Sequence, residues 1–218
     1  MSTYNFTHRG RAFSMELHAG NEQMSVHQQK EGGFFEHEML DYLADHYPDH
    51  GVVIDVGANV GNHSLYFSAF LRHSFIISIE PQPRNYALLV GNVSDAWCIP
   101  LNVAMAGKPG PVWIATDEYN MGMCHIEPRA NRYNAAAVTV DGLGLSNVTL
   151  IKIDTEGNEL DVLEGARETV QRDRPLIVIE IAVESFDQYD AYMQSIGYDL
   201  EHYWRDRIVA LYHPRGNR

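Results

Sequence analysis

Cysteine is scarce in this 218-residue chain: there are two, Cys98 and Cys124, far apart and outside any C-x-x-C or metal-type spacing. That excludes a disulfide scaffold and a thiolate zinc site, and it leaves two buried free thiols in a reducing compartment as the expectation. Basic residues are also few, 16 Lys and Arg against 29 Asp and Glu, for a net charge of -13. So acidic a chain is poorly suited to a nucleic-acid backbone or an anionic lipid surface, both of which are gripped by clustered Lys and Arg. No apolar run approaches the roughly 18 residues of a membrane span. Met1 to Arg9 has no apolar stretch of the kind a secretion signal needs, so a cytoplasmic protein is expected. Internal repeats, low-complexity tracts and linkers are absent too. With 45% hydrophobic residues the chain is expected to fold as one domain, residues 1–218, around a sizeable core.

What the chain does carry is a strand running into a glycine turn. Val52-Val53-Ile54-Asp55-Val56 leads into Gly57-Ala58-Asn59-Val60-Gly61-Asn62, and helix-like spacing follows. Such a corner lets a ligand approach bare backbone and aims the N–H groups of a helix start at it. A second apolar run, Phe75-Ile76-Ile77-Ser78-Ile79, ends in Glu80, 25 residues after Asp55. An acid at that place accepts both hydroxyls of a ribose. The turn departs from the dinucleotide pattern G-x-G-x-x-G. Asn59 stands where the middle glycine would admit a pyrophosphate, and no third glycine follows at the right offset. A ligand with a carboxylate and an ammonium but no phosphates fits better. S-adenosylmethionine is such a ligand, with Asp55 placed to fix its amino group, and a nicotinamide oxidoreductase is disfavoured.

The rest of the chain alternates. Short strands are expected between Thr3 and His27, with Gly10 and Gly20-Asn21 as turns. Phe35, Met39, Leu43 and Tyr47 mark a helical face that stops before Pro48. After the glycine turn come a helix with Leu65, Phe67 and Phe70, strand Phe75–Ile79, a helix with Tyr86, Leu89, Val90 and Val93, and strand Trp97–Val103. Val112-Trp113-Ile114 reads as one arm of a hairpin. Strand Val148–Ile153 precedes a single helix with Leu160, Leu163, Ala166 and Val170 on one face and Asn158 as its N-cap. Strand Leu176–Ile181, a helix stopped by Gly197 and two closing strands within Tyr198–His213 complete the pattern. Alternation at this spacing gives a mainly parallel sheet with helices on both faces. Its crevice lies beyond the C-terminal strand ends, where Asp55, Glu80, Asn102, Asp154 and Glu180 each close an apolar run.

Several of these segments together resemble the FkbM-type family of class I S-adenosylmethionine-dependent methyltransferases. They are Val53-Ile54-Asp55-Val56-Gly57-Ala58-Asn59-Val60-Gly61, Ile79-Glu80-Pro81 and Val140-Asp141-Gly142-Leu143. Ile151-Lys152-Ile153-Asp154-Thr155-Glu156-Gly157-Asn158-Glu159-Leu160 is the most telling, with Val162-Leu163-Glu164-Gly165-Ala166 and Arg174-Pro175-Leu176-Ile177-Val178-Ile179-Glu180-Ile181 after it. The resemblance runs from Gly51 to Ile181. It implies an α/β fold: a doubly wound, mainly parallel, seven-stranded Rossmann-like methyltransferase sheet with helices on both faces. Residues 51–181 form its core, residues 1–50 a short N-terminal strand/helix extension, and residues 105–137 an insertion suited to be a substrate lid. It also implies O-methylation of a hydroxyl on a sugar, glycan or natural product, with S-adenosylhomocysteine as the other product.

On this reading the donor is held by Asp55, Gly57, Ala58, Asn59, Gly61, Asn62, Glu80, Pro81 and Asp154. Asn102 and Ala104 frame the adenine, Asp95 and Trp97 being weaker candidates. A leucine at Gly61 is expected to block the ligand and also to distort the turn. Asp154, Glu156 and Glu159 cluster after the fourth core strand, where Glu159 and Asp161 also suit a helix start. Asp154 or Glu156 accepts the acceptor's proton, or these acids with Glu180 hold a divalent metal. The metal-free version is preferred, because no His or Asn is placed to complete a shell. Lys152, on the strand face of Asp154, is an ion-pair partner or helps polarise the substrate. His125, in the segment from Met121 to Tyr133 with Cys124, Arg129 and Arg132, is a candidate substrate contact or base. His63 lies beside the turn. The expected partner is a hydroxyl-bearing small molecule or saccharide. A nucleic-acid methyltransferase is disfavoured by charge and by the lack of an Asn/Asp-Pro-Pro-Tyr or Pro-Cys motif. A small-molecule N-methyltransferase and a non-catalytic donor-binding subunit stay open, as does the oligomeric state.

Overall fold

A computed structural model describes residues 1–19, 32–47, 50–94, 97–116, 123–129, 131–205 and 208–216. Strands β1 (Ser2–His8) and β2 (Arg11–Leu17) form a hairpin closed by Arg9 and Gly10. Helix α1 (His37–His46) precedes β3 (Gly51–Val56), α2 (Asn62–Phe70), β4 (His73–Ile79), α3 (Pro83–Asn92) and β5 (Cys98–Leu101). Five short strands follow: β6 (Ala104–Met105), β7 (Gly110–Val112), β8 (Ile114–Ala115), β9 (His125–Ile126) and β10 (Ala135–Val138). Then come β11 (Val148–Ile153), α4 (Glu159–Glu164), α5 (Arg167–Asp173), β12 (Leu176–Glu180) and α6 (Phe186–Ser195). Strands β13 (Tyr198–Trp204) and β14 (Val209–Pro214) close the fold.

Seven strands make the central sheet in the order β13-β14-β12-β11-β3-β4-β5. The neighbours from β12 to β5 are parallel, and β14 is antiparallel to both β12 and β13. The chain winds outward from β3 through β4 to β5, then returns to β11 on the other side of β3. That reversal opens a crevice at the C-terminal ends of β3 and β11. The expected doubly wound, mainly parallel, seven-stranded Rossmann-like sheet is what the chain forms.

Alternation along each strand divides the core into two layers. Val52, Ile54, Val56, Ile151, Ile153, Ile177 and Ile179 pack with Val162, Leu163, Val170 and Met193 from α4, α5 and α6. Val53, Leu150 and Val178 point the other way, against Met39 and Leu43 of α1, Tyr66 and Phe67 of α2, and Met15 and Leu17 of β2. An aromatic cluster fixes the N-terminal hairpin there, with Phe34 edge-on to Phe6, Phe13 and Tyr66.

Local expectations fail where a tertiary contact overrides pattern. The helix expected across Leu160–Val170 is two, broken at Gly165, whose missing Cβ would lie 2.3 Å from the Ala106 carbonyl oxygen. Asn158 does not cap α4 with its side chain; its amide donates instead to the Met105 carbonyl at 3.0 Å. Val112 and Ile114 belong to different strands, β7 pairing with β10 and β8 with β9. The strand expected over Trp97–Val103 is shorter, Cys98–Leu101. Phe35 and Tyr47 lie outside α1. The Gly20-Asn21 turn, Pro48, Asp95, Met121 and Gly122 fall outside the described residues. Among the described residues no helix is long and apolar enough to cross a membrane.

Gly57 is where the two halves of the sheet meet most closely. Its φ is +77°, and an added Cβ would lie 1.7 Å from the Asp154 carbonyl oxygen. Gly57→Ala therefore forces either the turn or the end of β11 to move. The expected cost is about 3 kcal/mol or more, read as a lower denaturation midpoint with unchanged slope.

Candidate active site

The crevice holds a cavity at the strand ends. It is lined from β3 and its turn by Val56, Gly57 and Asn59, from β4 by Ile79, Glu80 and Pro81, and from β11 by Asp154, Thr155 and Glu156. Met105, Ile114, His125 and Ile126 come from the short strands after β5, and Cys124 from just before β9. Phe35, Glu180 and Arg205 close the far side.

Main-chain geometry aims the Glu80 carboxylate. It is 2% exposed and accepts N–H bonds from Asn59 (2.9 Å) and Gln82 (2.9 Å). Asn59 reaches it with φ at 49°, a left-handed conformation that asparagine tolerates better than most residues. Gln82 in turn caps α3, accepting from the N–H groups of Arg84 and Asn85. Burial pushes the Glu80 carboxyl up to about 7, against the pull of its backbone N–H partners, and Asp154 adds to the rise.

A buried ion-pair network supports the acids. Pairing of β3 with β11 sets Asp55 opposite Lys152. The Lys152 ammonium, 2% exposed as a residue, lies 2.9 Å from Asp154 Oδ2 and 3.8 Å from Asp55 Oδ1. Burial alone would lower Lys152, but Asp154, Asp55 and Glu36 together raise it above its ordinary value. Burial also opposes an ionised Glu36, yet His63 (3.0 Å), Lys152 and Arg205 (2.6 Å) hold it at about 2.

The loop after Asp154 is held from below by Glu159. Its Oε1 accepts from the N–H groups of Thr155 and Gly157 and from the Thr155 hydroxyl, and its Oε2 accepts from the Tyr189 hydroxyl at 2.9 Å. This clamp keeps Glu156 (φ 57°) and Gly157 (φ 102°) in left-handed conformations. Desolvation, then the charges of Asp154 and Glu159, push the Glu156 carboxyl up to about 7, with Lys152 pulling the other way. Burial, then Asp154 and Glu36, push Glu180 up to about 9, against Lys152 and Arg205. The cavity thus gathers four carboxyl groups, three of them with raised affinity for a proton.

The family model described as "Methyltransferase FkbM domain" matches residues 55–200, two thirds of the chain, and takes in Glu80, Asp154 and Glu156. The chain belongs to the FkbM methyltransferase family. Methyltransferase sdnD of Sordaria araneosa is 25% identical over 207 residues, covering 73% of this chain and 77% of that protein. Hexuronic acid methyltransferase AglP of Haloferax volcanii is 24% identical over 152 residues, covering 67% of this chain and 62% of AglP. The crystal structure of methyltransferase FkbM from Methylobacillus flagellatus KT has the same fold, with a TM-score of 0.56 at 21% identity over 74% of this chain and 42% of that one. TYW2 of M. jannaschii, solved in complex with AdoMet, superposes with a TM-score of 0.51 at 13% identity, covering 97% of this chain and 86% of that one. The chain thus spans less than two thirds of AglP and of the M. flagellatus protein.

In this FkbM chain the cavity brings together Gly57, Asn59, Glu80, Pro81, Ala104, His125, Asp154 and Glu156 from the sequence candidates. Others stand behind them. Asp55 is fully buried on the α2 side of the sheet, where Ser64 Oγ donates to it at 2.5 Å. Ala58 packs against Leu89 and Val93. A Cβ at Gly61 would point at Leu89 and Val93, 3.0 and 3.2 Å away, so a leucine there disturbs the packing of α2 on α3 rather than filling the cavity. Asn62 is buried and exchanges hydrogen bonds with the Phe35 backbone. Asn102 donates to the carbonyls of Glu80 and Pro81, and His63 pairs with Glu36. Trp97 is 73% exposed and does not line the cavity. Among the described residues no group of three or more His, Cys, Asp and Glu is arranged to hold a metal ion.

Met105, Ile114, Ile126 and Arg205 line the cavity without being site candidates in the sequence, and so does Phe35, which the pattern assigns to a helical face. For Arg205 a signal exists. Two antiparallel closing strands return the turn between them to the edge where the parallel strands end, so that turn must reach the crevice. Lys152→Met removes the cation shared by Asp55 and Asp154. Loss of about 3–5 kcal/mol is expected in equilibrium urea unfolding, because two carboxylates are then left without their buried partner.

Proposed function

We propose that the chain transfers a methyl group from S-adenosylmethionine to a hydroxyl oxygen of a sugar, glycan or natural-product acceptor. The observation that carries this is one cavity in which bare main chain at Gly57, a buried ribose-type acid at Glu80 and the Asp154–Glu156 pair face each other. The donor fits the residues present. Gly57 lines the cavity with main chain alone, and its missing Cβ lets the Asp154 carbonyl close on the turn, which brings the acids after β11 to the same cavity. Glu80 offers carboxylate oxygens held by two N–H groups, and Ala104, Met105 and Ile126 offer an apolar wall for a purine. Relatives named as methyltransferases, one of them for a hexuronic acid, support a transfer to oxygen in a saccharide context.

When bound, the donor supplies an already electrophilic methyl group, so the protein's share is approach and removal of one proton. Glu156 takes that proton. Its carboxyl sits near neutrality, and it makes no hydrogen bond among the described residues. Asp154, tied to Lys152, positions the acceptor hydroxyl against Glu156, and His125 contacts the acceptor from the opposite wall. Glu180, whose proton affinity is raised by burial and by Asp154 and Glu36, lines the same cavity and contacts the acceptor. The insertion over residues 105–137 supplies the His125 wall and acts as the acceptor lid. Asn102 acts through Glu80 by holding its backbone.

Glu80→Ala should weaken S-adenosylmethionine binding about 10- to 100-fold in calorimetry, while NAD shows no binding to either form. Unchanged affinity would remove Glu80 from the ribose. With labelled donor and pooled saccharide and natural-product acceptors, kcat should rise with pH through about 7, as the base must lose its proton to act. Glu156→Gln should abolish that limb and lower kcat roughly 10²- to 10⁴-fold. A limb that persists in the variant assigns the proton to another group.

A further inference from the structure

Arg205 closes the far side of the cavity. The same side chain walls a second hollow, between the start of α1 and the turn joining β13 to β14. The floor of that hollow is apolar, made by Met39, Val209 and Trp204, and its rim is polar, made by His37, Glu38 and Arg205. Trp204 is held edge-on by two rings before any ligand arrives: His202 at 4.4 Å between centroids and 64°, and Tyr42 at 5.4 Å and 69°. Arg205 is fixed as well, 2.6 Å from Glu36, 3.9 Å from Glu180 and 5.2 Å over the Phe35 ring. Phe35 faces the first cavity and Glu36 the second, so Arg205 stands on the boundary between them.

A pyranose is amphipathic in the same sense as this hollow. Its faces carry C–H groups, which an aromatic plate covers, and its edge carries hydroxyls, which a carboxylate and a guanidinium bind by charge-assisted hydrogen bonds. We propose that the second hollow is a sugar subsite for the ring next to the one that is methylated, so that the acceptor is an oligosaccharide or glycoside rather than a free monosaccharide. This rests on the saccharide-acceptor reading above. A nucleotide in the hollow would set its phosphates against Glu36 and Glu38. A purely apolar group would leave the rim without partners.

The test uses the full chain with S-adenosylhomocysteine on an array of matched mono- and disaccharides, followed by calorimetry on the best-bound pair. The disaccharide should bind about 10-fold more tightly than its own terminal monosaccharide. Trp204→Ala should erase that advantage, and Trp204→Phe should keep most of it. Glu38→Ala, an exposed change at the rim, should weaken the disaccharide several-fold and leave the monosaccharide unchanged, which decides the matter if Trp204→Ala does not fold. Equal binding of the two sugars by the unmodified protein overturns the subsite. So does a disaccharide advantage that survives both Trp204→Ala and Glu38→Ala. Binding of no saccharide at all overturns the acceptor reading, and the subsite with it.

Discussion

One ammonium group holds the centre of this molecule together. Lys152 projects from β11 into a fully covered position between Asp55 of β3 and Asp154 at the strand end. Transfer of so many charges out of water is costly, and it is tolerated because the cation is shared. The strand pairing that sets Lys152 opposite Asp55 also brings Gly57 against the Asp154 backbone. The reversal point of the sheet is thus fixed by steric contact on one side and by electrostatics on the other. The cavity inherits its geometry from both.

Around that centre, each acid has a different neighbourhood. Glu80 is gripped by main-chain N–H groups, Glu36 by an imidazole and a guanidinium, and Glu159 by a loop backbone and a phenol. Glu156 and Glu180 have no comparable set of donors; burial first, and then the charge of Asp154, raise their proton affinities, as they do that of Glu80. What each carboxyl group is bonded to differs from one to the next, while burial beside Asp154 is common to Glu80, Glu156 and Glu180.

Much of this was legible in the order of residues. Apolar runs ending in Asp55, Glu80, Asp154 and Glu180 mark strand ends, and a parallel sheet gathers strand ends on one edge. Gly57 and Glu80 are therefore found where the pattern puts them. Asp55 and Gly61 show the limit. Alternation decides which side of the sheet Asp55 faces, and the turn alone does not reveal that its partner is Ser64. Gly61 looks like a ligand glycine, but its bare face is required by α3. Asn158 and Gly165 depart from the local helical pattern for a related reason: each answers to a carbonyl of residues 105–106, more than fifty positions earlier. Contacts at that separation leave no local periodicity to detect.

The family match spans residues 55–200. Phe35 to Met39 precede it, and Trp204, Arg205 and Val209 follow it, yet Arg205 joins these two flanks by its contacts with Phe35 and Glu36. The matched stretch carries the glycine turn and the acids, while the rim at Arg205 is made from sequence on either side. Every side chain that walls the second hollow thus comes from outside the stretch by which the family is recognised.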